Sequence, residues 1–350
     1  MNIKTYVLRP LVIAPLLGVL FPALNASAAE DVGNVLNVYS YRQEFLVNPL
    51  IEAFEKETGI DVKIVFAQEG LVQRLKAEGM NSPADVILTA DINRMEEFQS
   101  ENLLQPVTSA TLSTNIPAQY RHPDGLWYGL TMRARVIYAH KTRVKPGEAD
   151  TYEDLAQPHM KGRVCTRSGK HPYNISLLAS VIAAKGIDEA QAWLQGVKDN
   201  LARRPQGNDR AQVKAIKEGE CDVAIGNSYY FGKMLTNDEK PEEKEWASAV
   251  NLVFPNQADR GAHVNVSAAA VTQSAKHLDT AIKFLEFLSS DNAQRIFAAE
   301  NFEYPLKEGV AIDPLVASWG TFKADDRNLA EIVAQHAEAS KMMDRVAFDQ

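Results

Sequence analysis

Cysteine is scarce in this chain, because only Cys165 and Cys221 occur among 350 residues. Two separate cysteines and histidines without paired spacing do not form the Cys and His pattern of a zinc site. The sequence also contains no CxxC pair, no Gly-rich nucleotide loop and no Ser/His/Asp order. These absences argue against a familiar redox, nucleotide or hydrolase motif, and we predict that the chain is not an enzyme.

An excess of basic residues is missing as well. The 45 Asp and Glu residues outnumber the 37 Lys and Arg residues, which gives a formal net charge of −8. Affinity for nucleic acid depends largely on Lys and Arg that neutralise phosphates, so we predict no nucleic-acid partner. An acidic surface is compatible with a cationic ligand.

The N-terminal apolar stretch is too short for a membrane anchor. Residues 10–24 are uncharged, but a spanning helix needs about 20 apolar residues, and prolines interrupt this stretch. Lys4 and Arg9 precede it and small residues follow at 26–29, which is typical of a cleaved export signal. We therefore predict a signal peptide over residues 1–28 and a periplasmic protein. No cysteine follows the signal, so no lipid anchor is predicted.

The remaining length predicts two lobes, because about 320 residues exceed what one hydrophobic core usually supports. Short apolar strands alternate with amphipathic helices in both halves of the chain. This alternation predicts an α/β fold with mostly parallel sheets, whose ligand sites lie beyond the carboxyl ends of the strands. The predicted strands cover residues 36–41, 61–66, 84–89, 162–165 and 222–225.

Two crossings between the lobes are predicted, one at 126–138 and one over the apolar stretches at 252–254 and 264–270. The resulting domains are a first lobe at 29–134, a second lobe at 135–262, and a return to the first lobe with C-terminal helices at 263–350.

Helices are predicted in the second lobe near 175–185, 188–200 and 209–219. The amphipathic pattern at 278–298 predicts one long helix after the second crossing. The short charged segment at 239–245 is predicted to be a solvated loop.

The two cysteines allow two interpretations. Buried thiols on neighbouring strands are one, since free cysteine is among the most buried residue types. A disulfide between Cys165 and Cys221 is the other, and an oxidising periplasm favours it slightly.

Tyrosines concentrate at two places where a predicted strand gives way to a helix. Tyr173 lies eight residues after Cys165, and Tyr229 lies eight residues after Cys221, with Tyr230 beside it. If the two cysteines lie on adjacent parallel strands, both loops emerge at the same end of the sheet. The three phenols can then converge.

The backbone conformation around Tyr229 and Tyr230 decides whether both phenols can reach the same ligand. Asn227 or Ser228 is a predicted helix N-cap, which would place Tyr229 and Tyr230 in a first helical turn. Adjacent side chains point in opposite directions in a strand, whereas in a helix they diverge by about 100°. A helical start therefore favours a shared ligand.

Converging phenols suit a hard cation of high charge. Phenolate oxygen is a good match for Fe³⁺, and a bound cation can hold a phenol of pKa about 10 deprotonated at neutral pH. Calcium and magnesium sites are instead built from carboxylates and carbonyls. An isolated Tyr-Tyr pair is more often a core or cleft residue, so the prediction depends on Tyr173 beside the pair.

These loops, with the strands before them, resemble the bacterial ferric-ion-binding proteins, the FbpA/FutA-type periplasmic component of iron ABC transporters. The matching motifs are residues 37–43 (NVYSYRQ), 84–89 (ADVILT), 133–138 (RARVIY), 167–169 (RSG), 173–174 (YN), 226–230 (GNSYY) and 319–323 (WGTFK).

The resemblance implies a type II periplasmic-binding-protein fold with two interlobe crossings and iron in the cleft. It implies that Tyr173, Tyr229 and Tyr230 are the iron ligands. Many family members also carry a His-Tyr pair in a first-lobe loop, where this chain has Gln43 and Glu44. This departure removes one phenolate, and similar members complete the coordination with a synergistic anion, usually carbonate.

The same resemblance implies the residues around that anion. Arg42 and Gln43, with the backbone N–H groups near Ser168 and Gly169, are expected to bind carbonate or bicarbonate. Arg42 could instead form an interlobe salt bridge, and Glu44 could itself bind iron.

Three further residues flank the expected ligands. Arg133 and Asn174 are expected to lie behind them, although a purely structural role for Arg133 is an equal alternative. His171 is expected to be an exposed loop residue.

The function implied is capture of ferric iron by a monomer, lobe closure by hinge motion, and delivery to an inner-membrane ABC permease. The rival in the same fold is a protein that binds a small organic ligand or polyamine, which would need several carboxylates and an aromatic box. An enzyme on the same scaffold would show turnover rather than stoichiometric uptake.

Overall fold

The computed structural model describes residues 34–350. The predicted signal peptide at residues 1–28 lies outside the described residues. Across the described part of the chain, no helix combines the length and the apolar character needed to span a bilayer.

The strands have short to moderate lengths, with two long ones near the middle of the sheet order. They are β1 Val35–Ser40, β2 Asp61–Phe66, β3 Val86–Thr89, β4 Leu104–Gln105, β5 Tyr128–His140, β6 Val164–Cys165, β7 Val223–Asn227, β8 Val250–Val253, β9 Val264–Thr272 and β10 Tyr304–Pro305.

Helices connect most of these strands. They are α1 Glu44–Thr58, α2 Leu71–Glu78, α3 Ile92–Ser100, α4 Ala110–Asn115, α5 Pro172–Lys185, α6 Ile187–Asp199, α7 Asp209–Glu218, α8 Ser228–Leu235, α9 Pro241–Ser248, α10 Leu278–Leu288, α11 Asp291–Asn301, α12 Pro314–Ala317, α13 Leu329–Val333 and α14 His336–Arg345. Short 3₁₀ segments occur at Gly79–Asn81, Ala118–Tyr120, Glu153–Ala156 and Pro158–Met160.

The sheet order is β2-β1-β3-β9-β5-β7-β6. Strand β1 is parallel to β2 and β3, and β6 is parallel to β7. The predicted mostly parallel sheet is therefore correct only at these outer strands. Strands β5 and β9 run antiparallel to each other and to their other neighbours, because they pass between the two parallel groups instead of following a βαβ crossover.

Strand β5 changes partner along its length. Its residues Tyr128 to Ala134 pair with β9, and its residues Arg135 to Ala139 pair with β7. Nearly every residue of β5 is buried, as expected for a strand covered on both faces. This register places the side chains around Arg133 and Arg135 at the junction of the two strand groups.

The predicted amphipathic character of the helices is confirmed in α1, where Leu50, Ile51 and Phe54 are buried. Phe54 packs edge-on against Phe284 of α10, with ring centroids 4.9 Å apart. Burial of each such side chain stabilises the fold by about 1.5–3 kcal/mol. Gly59 ends α1 with a positive φ of 72°, which glycine adopts without steric cost.

Three predicted segments differ from the structure. The helix at 278–298 is two helices, since the Ser290 side chain accepts a hydrogen bond from the Ala293 N–H and begins α11. The predicted loop at 239–245 contains the start of α9, where Glu243 is buried. The stretch at 252–254 belongs largely to β8, which pairs with the end of β5 and does not cross with β9.

Cys165 and Cys221 form a disulfide, which resolves the two interpretations left open by the sequence. Cys165 ends β6, and Cys221 lies two residues before β7. The parallel pairing of β6 and β7 and this covalent link bring the loops after both strands out at the same end of the sheet.

A buried carboxylate joins three separated segments of the first strand group. Asp85 accepts hydrogen bonds from the backbone N–H groups of Asn37, Lys276 and His277 at 2.9, 2.9 and 3.0 Å, and its Oδ2 lies 2.9 Å from the His277 ring Nδ1. Burial raises the pKa of Asp85, but the hydrogen bonds from Asn37 and His277 outweigh burial and lower it below its ordinary value. The charged form is therefore part of the folded structure.

We predict that Asp85→Ala lowers the free energy of unfolding by about 3 kcal/mol at pH 7, because it leaves three partly buried N–H groups without their acceptor. A group with a lowered folded-state pKa contributes fully above its unfolded pKa, and its contribution is lost as the pH falls through the folded value. Urea unfolding should therefore give a smaller difference from wild type below about pH 4. An equal difference at pH 7 and pH 3 would contradict this role.

Candidate functional site

Three phenols meet where two helices begin. Tyr173 lies in the first turn of α5, and Tyr229 and Tyr230 lie in the first turn of α8. The Tyr173 and Tyr229 hydroxyl oxygens are 3.3 Å apart, and the Tyr229 and Tyr230 ring centroids are 4.3 Å apart. The predicted helical start at Asn227 or Ser228 is confirmed, since α8 begins at Ser228.

The three tyrosines line a cleft of about 380 Å³. The segment that follows β1 and helix α8 both contribute to this cleft. The other lining residues are Tyr41, Arg42, Gln43, Phe45, Leu46, Ala90, Arg133, Arg210, Lys233, Asn301 and Glu303. Most of these side chains are polar or aromatic, which suits a small charged ligand better than an apolar one.

Burial keeps the Tyr173 and Tyr229 phenols neutral in the absence of a cation. It raises the pKa of Tyr173 to about 12, and the nearby Tyr230 contributes in the same direction. Burial and the neighbouring Tyr173 also raise the pKa of Tyr229 well above its ordinary value. A cation that binds here as a phenolate complex must displace protons.

A buried ion pair positions both tyrosine loops. Asp209, the first residue of α7, accepts a hydrogen bond from Arg135 of β5 at 2.9 Å and from Arg167 at 3.0 Å. The Asn227 backbone N–H, at the end of β7, donates to the same carboxylate at 2.9 Å. One carboxylate therefore ties β5, β7 and the loop after β6 together.

Two asparagines connect this ion pair to the tyrosines. Arg135 donates to the Asn174 Oδ1 at 2.6 Å and to the Asn227 Oδ1 at 3.0 Å. Asn174 follows Tyr173, and its amide also donates to the carbonyls of Arg167 and Ser168. Asn174 thus links Arg135 to the loop that precedes Tyr173.

A second buried charge network forms one wall of the cleft. Arg42 lies 3.5 Å from Glu303, and Arg133 lies 3.4 Å from Asp91 and 4.0 Å from Glu303. Both guanidinium groups also donate to the Ser267 hydroxyl. Burial raises the pKa of Glu303, but Arg42 and Arg133 outweigh burial and hold it below the ordinary value, so the wall contains paired charges.

Comparison with known proteins agrees with this architecture. A sequence profile described as bacterial extracellular solute-binding protein matches residues 81–329. Iron uptake protein A1 of a Synechocystis species is 44% identical over 314 residues, which cover 89% of this chain and 87% of that protein. The chain belongs to the bacterial extracellular solute-binding proteins.

Several solved structures are also similar to this solute-binding protein. An open conformation of ferric iron-binding protein A from Mannheimia haemolytica superposes with a TM-score of 0.87 at 49% identity, covering 91% of this chain and all of that one. A Trichodesmium protein in complex with iron and citrate gives a TM-score of 0.87 at 43% identity, covering 90% and 99%. These matches confirm the predicted fold and the resemblance to FbpA/FutA-type proteins.

Not every residue assigned to the anion lies in the cleft of this solute-binding protein. Arg42 and Gln43 line it, whereas Ser168 and Gly169 are not among its lining residues. The Ser168 hydroxyl and the Gly169 N–H instead donate to the Asp349 carboxylate, at 2.5 and 2.7 Å. A carboxylate from the C-terminal segment thus occupies the donors that the sequence assigned to an external anion.

The positions of Glu44 and His171 can be compared with the expectations for these two residues. Glu44 is exposed as the first residue of α1 and is not among the lining residues of the cleft. His171 is a half-buried N-cap of α5, whose Nδ1 accepts a hydrogen bond from the Tyr173 N–H, so the expected exposed loop histidine is wrong. Burial, together with the positive charges of Arg167 and Arg135, lowers its pKa to about 4. His171 is neutral at pH 7 and supports Tyr173.

Sequence reasoning missed four residues of this region, namely Asp209, Glu303, Arg210 and Lys233. Lys233 had a local signal, because it lies four residues after Tyr229 in a predicted helix and so shares its face. Asp209 and Arg135 are 74 residues apart, and no local pattern connects them.

We predict that Asp209→Ala lowers the free energy of unfolding by about 3–5 kcal/mol, because it leaves the buried Arg135 without its carboxylate. Chemical denaturation measures this loss. The matched control is Glu220→Ala, which removes the more exposed partner of Arg203 and should cost less than about 1 kcal/mol. Equal effects of the two substitutions would contradict the central role of Asp209.

We predict that Asp349→Ala loosens the loop before Tyr173, because the Ser168 hydroxyl and Gly169 N–H lose their shared acceptor. Hydrogen exchange of the amides at 168–171 should accelerate by about tenfold, equivalent to one or two lost hydrogen bonds. Asp344→Ala is the control, since its ion pair with Lys170 is exposed. Unchanged exchange in Asp349→Ala would show that the loop is held by other contacts.

Proposed function

We propose that this protein captures ferric iron with Tyr173, Tyr229 and Tyr230 as phenolate ligands. The observation that carries the proposal is the convergence of these three phenols in one cleft. Three phenolates balance the charge of Fe³⁺, and anionic oxygen is the donor that a hard cation prefers. No cluster of three or more His, Cys, Asp or Glu residues suited to a metal ion occurs within residues 34–350.

An anion is proposed to share the iron with the three phenolates. Three ligands leave positions open on an ion that usually takes six, and Gln43 stands where a fourth protein ligand would otherwise be expected. Arg42 and Gln43 face the same cleft, so carbonate or bicarbonate can occupy the space beside them. The citrate in the Trichodesmium structure makes a carboxylate another candidate for this position.

The proposed role is transport without chemical turnover. After export and removal of the signal peptide, the monomer takes up one ferric ion in the periplasm and delivers it to an inner-membrane ABC permease. Lobes at 29–134 and 135–262, with the return at 263–350, would close by motion at β5 and β9. Phenolate protonation, loss of the anion or reopening would release the iron.

The composition of the cleft disfavours the organic-cation alternative. A polyamine site needs several carboxylates, and Glu303 is the single carboxylate among the described residues that line the cleft. That carboxylate already pairs with Arg42 and Arg133. The cleft is therefore better suited to a cation that brings its own anion.

We predict that the mature protein, titrated with ferric citrate and bicarbonate, develops a broad visible tyrosinate-to-iron band that saturates at one equivalent. Tyr229→Phe should abolish or shift the band and weaken iron binding by more than about 100-fold, because removal of a direct ligand exceeds the usual effect of an outer-shell change.

Tyr41→Phe is the matched control for this experiment. Tyr41 also lines the cleft, but its hydroxyl accepts a hydrogen bond from the Leu71 N–H at 2.8 Å. This variant should keep the band. A folded wild-type protein that shows no band would refute the phenolate site and favour an organic ligand.

A further inference from the structure

Four cationic side chains line the cleft, and two of them are already satisfied by the protein. Arg42 uses both terminal nitrogens, one toward Ser267 and one toward Glu303. Arg133 donates to the Ala90 carbonyl and contacts Asp91. The two positive charges of these arginines are balanced by the two carboxylates of Glu303 and Asp91, so this wall has little charge left for a ligand.

The other two cations, Lys233 and Arg210, remain available. Within residues 34–350, the Lys233 ammonium has no hydrogen-bond or ion-pair partner and lies 5.5 Å from the Tyr229 ring centroid and 5.6 Å from that of Phe45. The Arg210 guanidinium lies 5.4 Å from the Tyr230 ring centroid. Its Nε is 3.3 Å from Glu243, and its terminal nitrogens have no acceptor in the described part of the chain.

Helix geometry directs both groups toward the tyrosines. Lys233 follows Tyr229 by four residues and Tyr230 by three on α8, so it occupies the same helix face one turn later. Arg210 lies in the first turn of α7, and the buried Glu243 of α9 holds it from behind. Both cations thus line the cleft beside the phenols.

The charge balance of a loaded site leaves one positive charge beside the phenolates without a carboxylate. Three phenolates neutralise Fe³⁺, Glu303 and Asp91 neutralise the two inner arginines, and Glu243 compensates only Arg210. The excess is positive, and desolvated cations of this kind are stabilised strongly by an anion that accepts their hydrogen bonds.

We propose that Lys233 and Arg210 form the anchor for the anion that accompanies the iron, and that its ligand class is a small oxyanion bearing carboxylate or carbonate oxygens. This inference rests on the proposed iron site and places the charged donors for its anion on α7 and α8 rather than on Arg42, whose charge Glu303 balances. One oxygen of the anion binds iron, while its remaining oxygens accept hydrogen bonds from Lys233 and Arg210. A polycarboxylate chelate and carbonate share this chemistry.

The test measures the anion dependence of the visible band in the full mature protein. Carbonate-free samples with saturating Fe³⁺ are titrated separately with bicarbonate and with citrate, for wild type, Lys233→Met and Arg210→Gln. Loss of one charged hydrogen bond should raise the half-saturating anion concentration by about 10- to 100-fold in each variant. Lys233→Arg, which keeps the charge, should recover most of this loss.

Lys214→Met is the matched control. Lys214 lies on α7, as Arg210 does, and its ammonium is 5.6 Å from the Trp246 ring centroid. It does not line the cleft. Its anion titrations should match wild type. Thermal unfolding of each apo variant shows whether the substitution has altered the fold.

The outcomes separate the proposal from the iron site itself. A shift for citrate alone identifies a chelate as the anion source, a shift for bicarbonate alone identifies carbonate, and a shift for both supports a shared anchor. If Lys233 acts only by repelling the cation, its removal tightens iron binding and leaves the anion dependence unchanged, which overturns the proposal while the band persists. Absence of the band in wild type would instead refute the iron site.

Discussion

The ion pair between Arg135 and Asp209 is the interaction on which the tyrosine site depends. Charges buried at this depth are costly unless every donor and acceptor is used, and here the carboxylate accepts from two arginines and a backbone N–H. The disulfide fixes the starts of the two loops, whereas this pair fixes their ends. Without it, the first turns of α5 and α8 would have no common reference, and the phenols of these distant segments would not converge.

The cleft separates charges that hold the fold from charges that can meet a ligand. The network of Arg42, Arg133, Glu303 and Asp91 is internally balanced and therefore acts as a stiff wall. Lys233 and Arg210 line the same cleft and have donors to spare. A site arranged in this way can change its ligands without exposing an unpaired charge in the core, because the balanced network need not open its own pairs.

Much of this site could be predicted from sequence because its signals are local. A strand followed by a capping residue and two tyrosines indicates a helical start, and that expectation for Tyr229 and Tyr230 is confirmed. The break at Ser290 and the helix at Pro241–Ser248 were missed because hydrophobic periodicity does not report a side-chain cap or a buried Glu243. The Asp349 contact with Ser168 joins residues 181 apart, and no local pattern could reveal it.

A cleft that holds no cation is also a reason why tyrosines suit this position better than Asp or Glu residues. Three buried carboxylates would repel one another and need constant neutralisation, whereas buried phenols stay protonated and uncharged. Burial raises the pKa of Tyr173 to about 12, so the unloaded protein carries no net charge on this group at neutral pH. The same property makes binding an exchange of protons for a cation. In the proposed site, protons would compete with the metal at each phenolate, so that a tight complex would remain reversible.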